Sequence, residues 1–276
     1  MMRLVKFSLI IGLLQGQYLH AAPPDDIPSC YEFNKLTEYK PEKAKRHLIV
    51  IVDQTSQLDD KLKKTVHAQI DQFITAGDQI QIISFSANAG GRYTDIIYNG
   101  VFDHLLPSGV RNQIAKTTLN RFDACIAAQA QAKDKLHRKL RSAYGETDHN
   151  FSNTELVGSL LQVGSSVIAS SSSERAVVLI VSDMLENSNI TSFYANNSVR
   201  KIDPKHELQK VMNSGITGDF GGADIFVIGA GFTGKGMAYS SQLALDNLEV
   251  FWRDLFSQHN GNLRLFGKPQ LLSTIK

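Results

Sequence analysis

Two apolar runs constrain this chain more than any other feature: His47 to Val52 (HLIVIV) and Ala176 to Val181 (AVVLIV), each followed by an aspartate, Asp53 directly and Asp183 after Ser182. A strand with one face in water alternates polar and apolar residues, whereas an unbroken run suits a strand covered on both faces, as in a parallel sheet flanked by helices. The stretches between them supply those helices. Leu58, Leu62, Val66, Ile70 and Phe73 recur at helical spacing, with Gly77 where the run stops. Ser152-Asn153-Thr154-Glu155 has capping-box spacing ahead of Leu156, Leu160, Val163 and Val167, and Leu248, Phe251, Trp252 and Leu255 mark a last helix.

Further strands are expected at Gln79 to Phe85, Asp95 to Phe102, Ala223 to Ile228 and Leu263 to Phe266, with Gly90-Gly91 as a turn between the first two. From about 109 to 144 the composition shifts to Ala, Gln, Lys and Arg, with no Pro or Gly from Val110 to Tyr144, so one long or broken helix is expected there. Its end, Lys133 to Arg141, carries five basic residues and one acid and reads as a solvated face, with Leu136 and Leu140 turned inward. Strands alternating with helices predict an α/β fold, a doubly wound, mostly parallel sheet with one antiparallel pair. At 276 residues the chain suits one large α/β domain, and 42% hydrophobic residues can fill its core.

The N-terminus has the pattern of a signal peptide over residues 1 to 21. Arg3 and Lys6 precede a short apolar run from Phe7 to Leu14, and Leu19-His20-Ala21 offers a small residue for cleavage. That run is short of the roughly 20 residues a spanning helix needs, so no stable membrane insertion is expected after cleavage. Removing residues 1 to 21 takes away two basic and no acidic residues, leaving 27 against 27. A neutral chain disfavours nucleic-acid binding. Residues 22 to 45 hold four of the seven prolines and read as an extended arm, followed by a domain over 46 to 276. Export, to a periplasm or beyond, admits a disulfide between Cys30 and Cys125. That bridge closes a loop of about 95 residues and contributes roughly 4 to 5 kcal/mol in the chain-entropy model.

Ligands of such sheets bind beyond the carboxyl ends of the strands, where Asp53 and Asp183 both fall. Thr55 lies two residues after Asp53, and Thr154 precedes a helix whose free amides face the same rim. Two carboxylates and two hydroxyls form an all-oxygen set of the kind Mg²⁺ or Mn²⁺ prefers. On HLIVIVDQTSQ at 47 to 57, Asn153-Thr154-Glu155 and VVLIVSDM at 177 to 184, the chain resembles the von Willebrand factor A family over roughly residues 45 to 267. The resemblance implies that family's Rossmann-like sheet with a helical insertion at about 109 to 144. It also implies a metal-ion-dependent adhesion site with Asp53, Thr55, Thr154 and Asp183 at ligand positions. The function implied is an exported protein-binding module, not an enzyme, whose ion is completed by a partner's carboxylate. The family's second serine is here Gln57, longer and bulkier; Ser56 would replace it only if the loop shifted by one residue.

Four other readings compete. Without metal, Asp53 and Thr154 would cap helices and Asp183 would bind loop amides. A periplasmic Mg-dependent phosphohydrolase would use Asp53 as nucleophile, but Gln54-Thr55 leaves out the second acid needed to protonate a leaving group. Gly229 to Gly236 satisfies a dinucleotide-loop spacing, yet it follows a late strand and reads as a flexible turn. The histidines are scattered, and His47 in a strand and His67 in a helix read as packed or solvated side chains. Asn150, Asn189 and Asn196 head glycosylation sequons that would matter only in a eukaryotic secretory pathway.

Overall fold

The computed structural model describes residues 25–88, 91–144, 154–195, 198–233 and 241–276. The expected signal peptide, Gly90 of the turn, Ser152 and Asn153 of the capping box, the sequons at Asn150 and Asn196, and Gly234 to Gly236 lie outside these residues. In chain order come α1 (Cys30–Phe33), β1 (Arg46–Asp53), α2 (Asp60–Phe73), β2 (Asp78–Asn88), β3 (Gly91–Val101), α3 (Ser108–Arg111), α4 (Lys116–Ala128), α5 (Ala132–Ala143) and α6 (Leu156–Val163). There follow β4 (Ala176–Val181), β5 (Tyr194–Ala195), β6 (Ser198–Val199), α7 (Pro204–Asn213), β7 (Asp224–Ile228), α8 (Gln242–Gln258) and β8 (Asn262–Phe266).

Six strands form one sheet in the order β3-β2-β1-β4-β7-β8. Every pairing is parallel except β2 with β3. The apolar runs sit at its centre, and alternate residues of β1 feed opposite cores. Leu48, Val50 and Val52 pack with Leu62, Val66 and Ile70 of α2 and with Leu136 and Leu140 of α5. Ile49 and Ile51 pack with Leu156 and Leu160 of α6 and with Leu248, Phe251 and Trp252 of α8. All of these side chains are at most 1% exposed, and burying each contributes about 1.5 to 3 kcal/mol. Among the described residues no helix is long and apolar enough to cross a membrane.

Three expectations change in detail. Residues 22 to 45 are not extended throughout, because α1 and a 3-10 turn at Thr37–Tyr39 interrupt the arm. Tyr31 and Leu36 bury themselves against Phe122 of α4 in a small satellite core, and the Cys30 amide donates to Asp103 Oδ2 at 2.6 Å. The Cys30–Cys125 disulfide lies in the same cluster, joining α1 to α4. The helical stretch expected over 109 to 144 is broken into α3, α4, a 3-10 turn and α5. The N-cap of α6 is Glu155, and its Val157 amide donates to Glu186 Oε2 at 2.7 Å, so a carboxylate distant in sequence takes a capping role expected of the local motif.

Candidate metal centre

β1 lies between β2, which follows it in the chain, and β4, added on its other side after a long excursion. Order reverses between β1 and β4, and that reversal opens the crevice where ligands of such sheets bind. Asp53 ends β1, and Asp183 stands two residues past β4, at the same edge.

Asp53 is 1% exposed and accepts four hydrogen bonds. Oδ1 takes the Thr55 amide at 2.9 Å and the Thr55 hydroxyl at 2.6 Å, while Oδ2 takes the hydroxyls of Ser56 at 2.8 Å and Ser182 at 2.7 Å. It does not cap α2, whose N-cap is Asp59 accepting from the Leu62 amide. The Thr154 hydroxyl donates to Thr55 Oγ1 at 3.2 Å, and its backbone bridges Asn187 in both directions. Asp183 Oδ1 accepts the Leu185 amide, as a loop-bound carboxylate would, and Oδ2 accepts the Tyr194 hydroxyl, both at 2.9 Å. Asp53, Thr55 and Thr154 are thus linked directly, and Asp183 joins them through Ser56, whose Oγ accepts the Asp183 amide at 2.9 Å while donating to Asp53.

Burial first, and then the negative charge of Asp53, push the Asp183 carboxyl up to about 7, against partial relief from Leu185, Tyr194 and Ser56. The Tyr194 hydroxyl is pushed up as well, by burial and then by Asp183. Beneath the rim, burial raises Glu186 to about 7 despite the hydrogen bonds it accepts. Met184 adopts φ 61°, a left-handed conformation costing a non-glycine residue about 1 to 2 kcal/mol, and its carbonyl accepts the Trp252 indole N–H at 2.9 Å. That turn exposes the Leu185 amide to the Asp183 carboxylate.

The glycine loop after β7 packs against this turn. Gly229 has φ 105°, and a Cβ there would lie 2.9 Å from the Ser182 carbonyl oxygen. Its amides serve the chain: Gly229 donates to the Pro269 carbonyl, Ala230 to Gly267 and Gly231 to Asp183. These three amides are committed to the fold. His47 is packed as expected, 4% exposed with Nδ1 2.9 Å from Ser171 Oγ.

Ser56, Ser182, Tyr194 and Glu186 are the residues that sequence reasoning set aside or passed over. Ser182 carried a readable signal, a hydroxyl beside the strand-end aspartate. Tyr194 carried none, since it arrives from an Asn- and Ser-rich segment tethered elsewhere: Thr191 and Arg200 both donate to Glu207 of α7, at 2.6 and 2.7 Å. Gln57 is half-buried beyond Ser56.

The donor set suits a hard cation. Carboxylates and hydroxyls are the ligands Mg²⁺ and Mn²⁺ favour, and among the described residues no group of three or more His, Cys, Asp or Glu comes together, at the rim or elsewhere. A dication would also offset the repulsion that raises Asp183. Asp53, Thr55, Thr154 and Asp183 are the residues that would hold it, and Tyr194 covers one Asp183 oxygen. No protein-family model matches this sequence, and no curated protein matches it.

Proposed function

We propose that this chain is an exported protein-binding module of the von Willebrand factor A type, with 109 to 144 as its helical insertion, engaging a partner at the strand-end rim with the help of Mg²⁺ or Mn²⁺. One observation carries the reading: two buried carboxylates flank the order reversal between β1 and β4, ringed by hydroxyls, and burial, followed by the charge of Asp53, pushes Asp183 up to about 7. A folded protein retains such a pair where a cation or a ligand compensates it. When bound, the ion would supply a Lewis-acidic position for a carboxylate of the partner. The chain's own residues orient that position: Thr55 and Ser56 hold Asp53, while Tyr194 and the Met184 turn hold Asp183. The disulfide in the satellite core agrees with export to a periplasm or beyond.

The phosphohydrolase reading has less support. An aspartyl-phosphate enzyme needs a second acid to protonate the leaving group, and Gln54 and Thr55 stand where that acid would follow Asp53.

Melting the purified protein against Mg²⁺ or Mn²⁺ tests the proposal. The melting temperature should rise with ion concentration, as mass action requires, and Asp53→Ala and Asp183→Ala should each abolish the rise. Gln57→Ser should enlarge it by returning a short hydroxyl to the rim. No shift at millimolar ion would remove the metal from the proposal, and Mg-dependent phosphatase turnover lost in Asp53→Asn would replace binding with catalysis.

A further inference from the structure

A second polar cluster lies on the helical face of the molecule, and its argument does not rest on the rim. His67 and Asp71 stand one turn apart on α2, and His137 stands opposite on α5. The two imidazoles meet Nδ1 to Nδ1 at 2.6 Å, with ring centroids 4.7 Å apart. On its other side His137 places Nε2 2.9 Å from Asp71 Oδ1. That carboxylate accepts a hydrogen bond from Nε2–H of His137, which leaves Nδ1 of the neutral ring with its lone pair.

Two N–H groups cannot face each other at 2.6 Å, so one proton is shared between the Nδ1 atoms and at least one lone pair points across the gap. A cation can take the place of that proton. Two imidazole nitrogens on one ion, each about 2.0 to 2.1 Å from it at tetrahedral angles, stand about 3.3 Å apart. The rings would therefore separate by roughly 0.7 Å, a small rotation for side chains at the helix surface. The shared proton leaves to solvent if the pair is singly charged, or moves to Nε2 of His67 if it is neutral. In front of the pair is a surface hollow of 380 Å³, lined also by Asp134, Arg138 and Arg141.

We propose that His67 Nδ1 and His137 Nδ1 form a binding site for a divalent transition-metal ion of the Zn²⁺, Ni²⁺ or Cu²⁺ class, bridging α2 and α5, with Asp71 as the positioning residue for His137. Imidazole nitrogen selects these ions over Mg²⁺, whose preference for oxygen suits the rim instead. No third His, Cys, Asp or Glu completes a cluster here among the described residues. The ion keeps its other positions for water or a small anion in the hollow beside Arg138 and Arg141, so the site is open and exchangeable.

The experiment uses protein purified without a histidine tag, titrated with Zn²⁺, Ni²⁺ and Cu²⁺ by calorimetry and by melting temperature. Binding of one ion per chain is expected, with a melting temperature that climbs with ion concentration. His67→Gln and His137→Gln, which keep a polar side chain on each helix, should each abolish both signals. Asp71→Asn should weaken affinity tenfold or more while the stoichiometry stays at one. Asp53→Ala should bind Zn²⁺ as the native protein does, which separates this site from the rim. Nitrogen NMR should show the Nδ1 resonances of His67 and His137 moving together on Zn²⁺ addition, so a folding defect in a variant would not obscure the result. Absence of binding at millimolar ion, or native-like binding in either glutamine variant, would overturn the site.

Discussion

Carboxylates stand at both edges of the central sheet, and the two edges treat them differently. At the amino edge, Asp78 opens β2 and meets Arg46 of β1 through two hydrogen bonds of 2.9 and 2.6 Å, while Asp224 opens β7 between Arg175 and Arg264. At the carboxyl edge, Asp53 and Asp183 meet hydroxyls and amides, and among the described residues no lysine or arginine bridges either of them. Burial pushes Asp224 up, but the hydrogen bonds and charges of Arg175 and Arg264 outweigh it and hold the carboxyl below its ordinary range. Burial pushes Asp183 up too, and there the neighbouring charge has the same sign, so the carboxyl rises to about 7. Deeper burial of Asp183 and neighbours of opposite charge together separate a carboxylate that holds the sheet together from one available to a ligand.

The largest effect expected from this contrast is at the amino edge. Asp78→Ala leaves the Arg46 guanidinium and the amide and hydroxyl of Thr75 without their shared acceptor, and should cost about 3 kcal/mol in denaturant unfolding. A loss below 1 kcal/mol would mean that the arginine clamp is no stronger than a surface pair.

The next effect is a pH dependence at the carboxyl edge. A carboxyl with an ordinary value of 3.8 that rises to about 7 on folding binds more protons in the folded state, so its contribution falls as pH rises between those values. Native protein should therefore lose stability relative to Asp183→Asn by up to about 1.4 kcal/mol per pH unit across that window. Glu186→Gln should produce a similar difference, because burial raises Glu186 to about 7. Parallel pH profiles for native and Asp183→Asn protein would remove the raised carboxyl on which the contrast depends.

The smallest effect is the most discriminating. Asp53→Asn removes a charge that repels Asp183, and the hydroxyls of Ser56 and Ser182 can turn to accept from the new amide. Without added metal its stability should stay within about 1 kcal/mol of native, whereas a clamp like that of Asp78 would lose far more. With Mg²⁺ present the variant should fall behind, since it cannot gain the ion's contribution.

Much of this was legible beforehand. The runs HLIVIV and AVVLIV read as central strands because nothing polar interrupts them, and they pair with each other in parallel. Asp53, Thr55, Thr154 and Asp183 were identified from spacing and resemblance, and hydrogen bonds that pass through Ser56 connect all four. The role of Ser56 was not legible, since a loop's register depends on what packs over it. The meeting of His67 with His137 was hidden for a similar reason: 70 residues separate them, and His67 reads as a packed or solvated side chain among scattered histidines.

The sequence by itself determined the central strands and the main helices packed on them, which of their faces are apolar, and that two aspartates follow central strands. These follow from hydrophobic period and local backbone preference, which act over a few residues at a time. Only the tertiary structure decided what each buried carboxylate faces. Asp78 reaches Arg46 through strand register, and Asp183 reaches Ser56 and Tyr194 through loops that converge after the sheet is built. Electrostatic environment is set by neighbours in space, and at both edges of this sheet the decisive neighbours come from other segments of the chain.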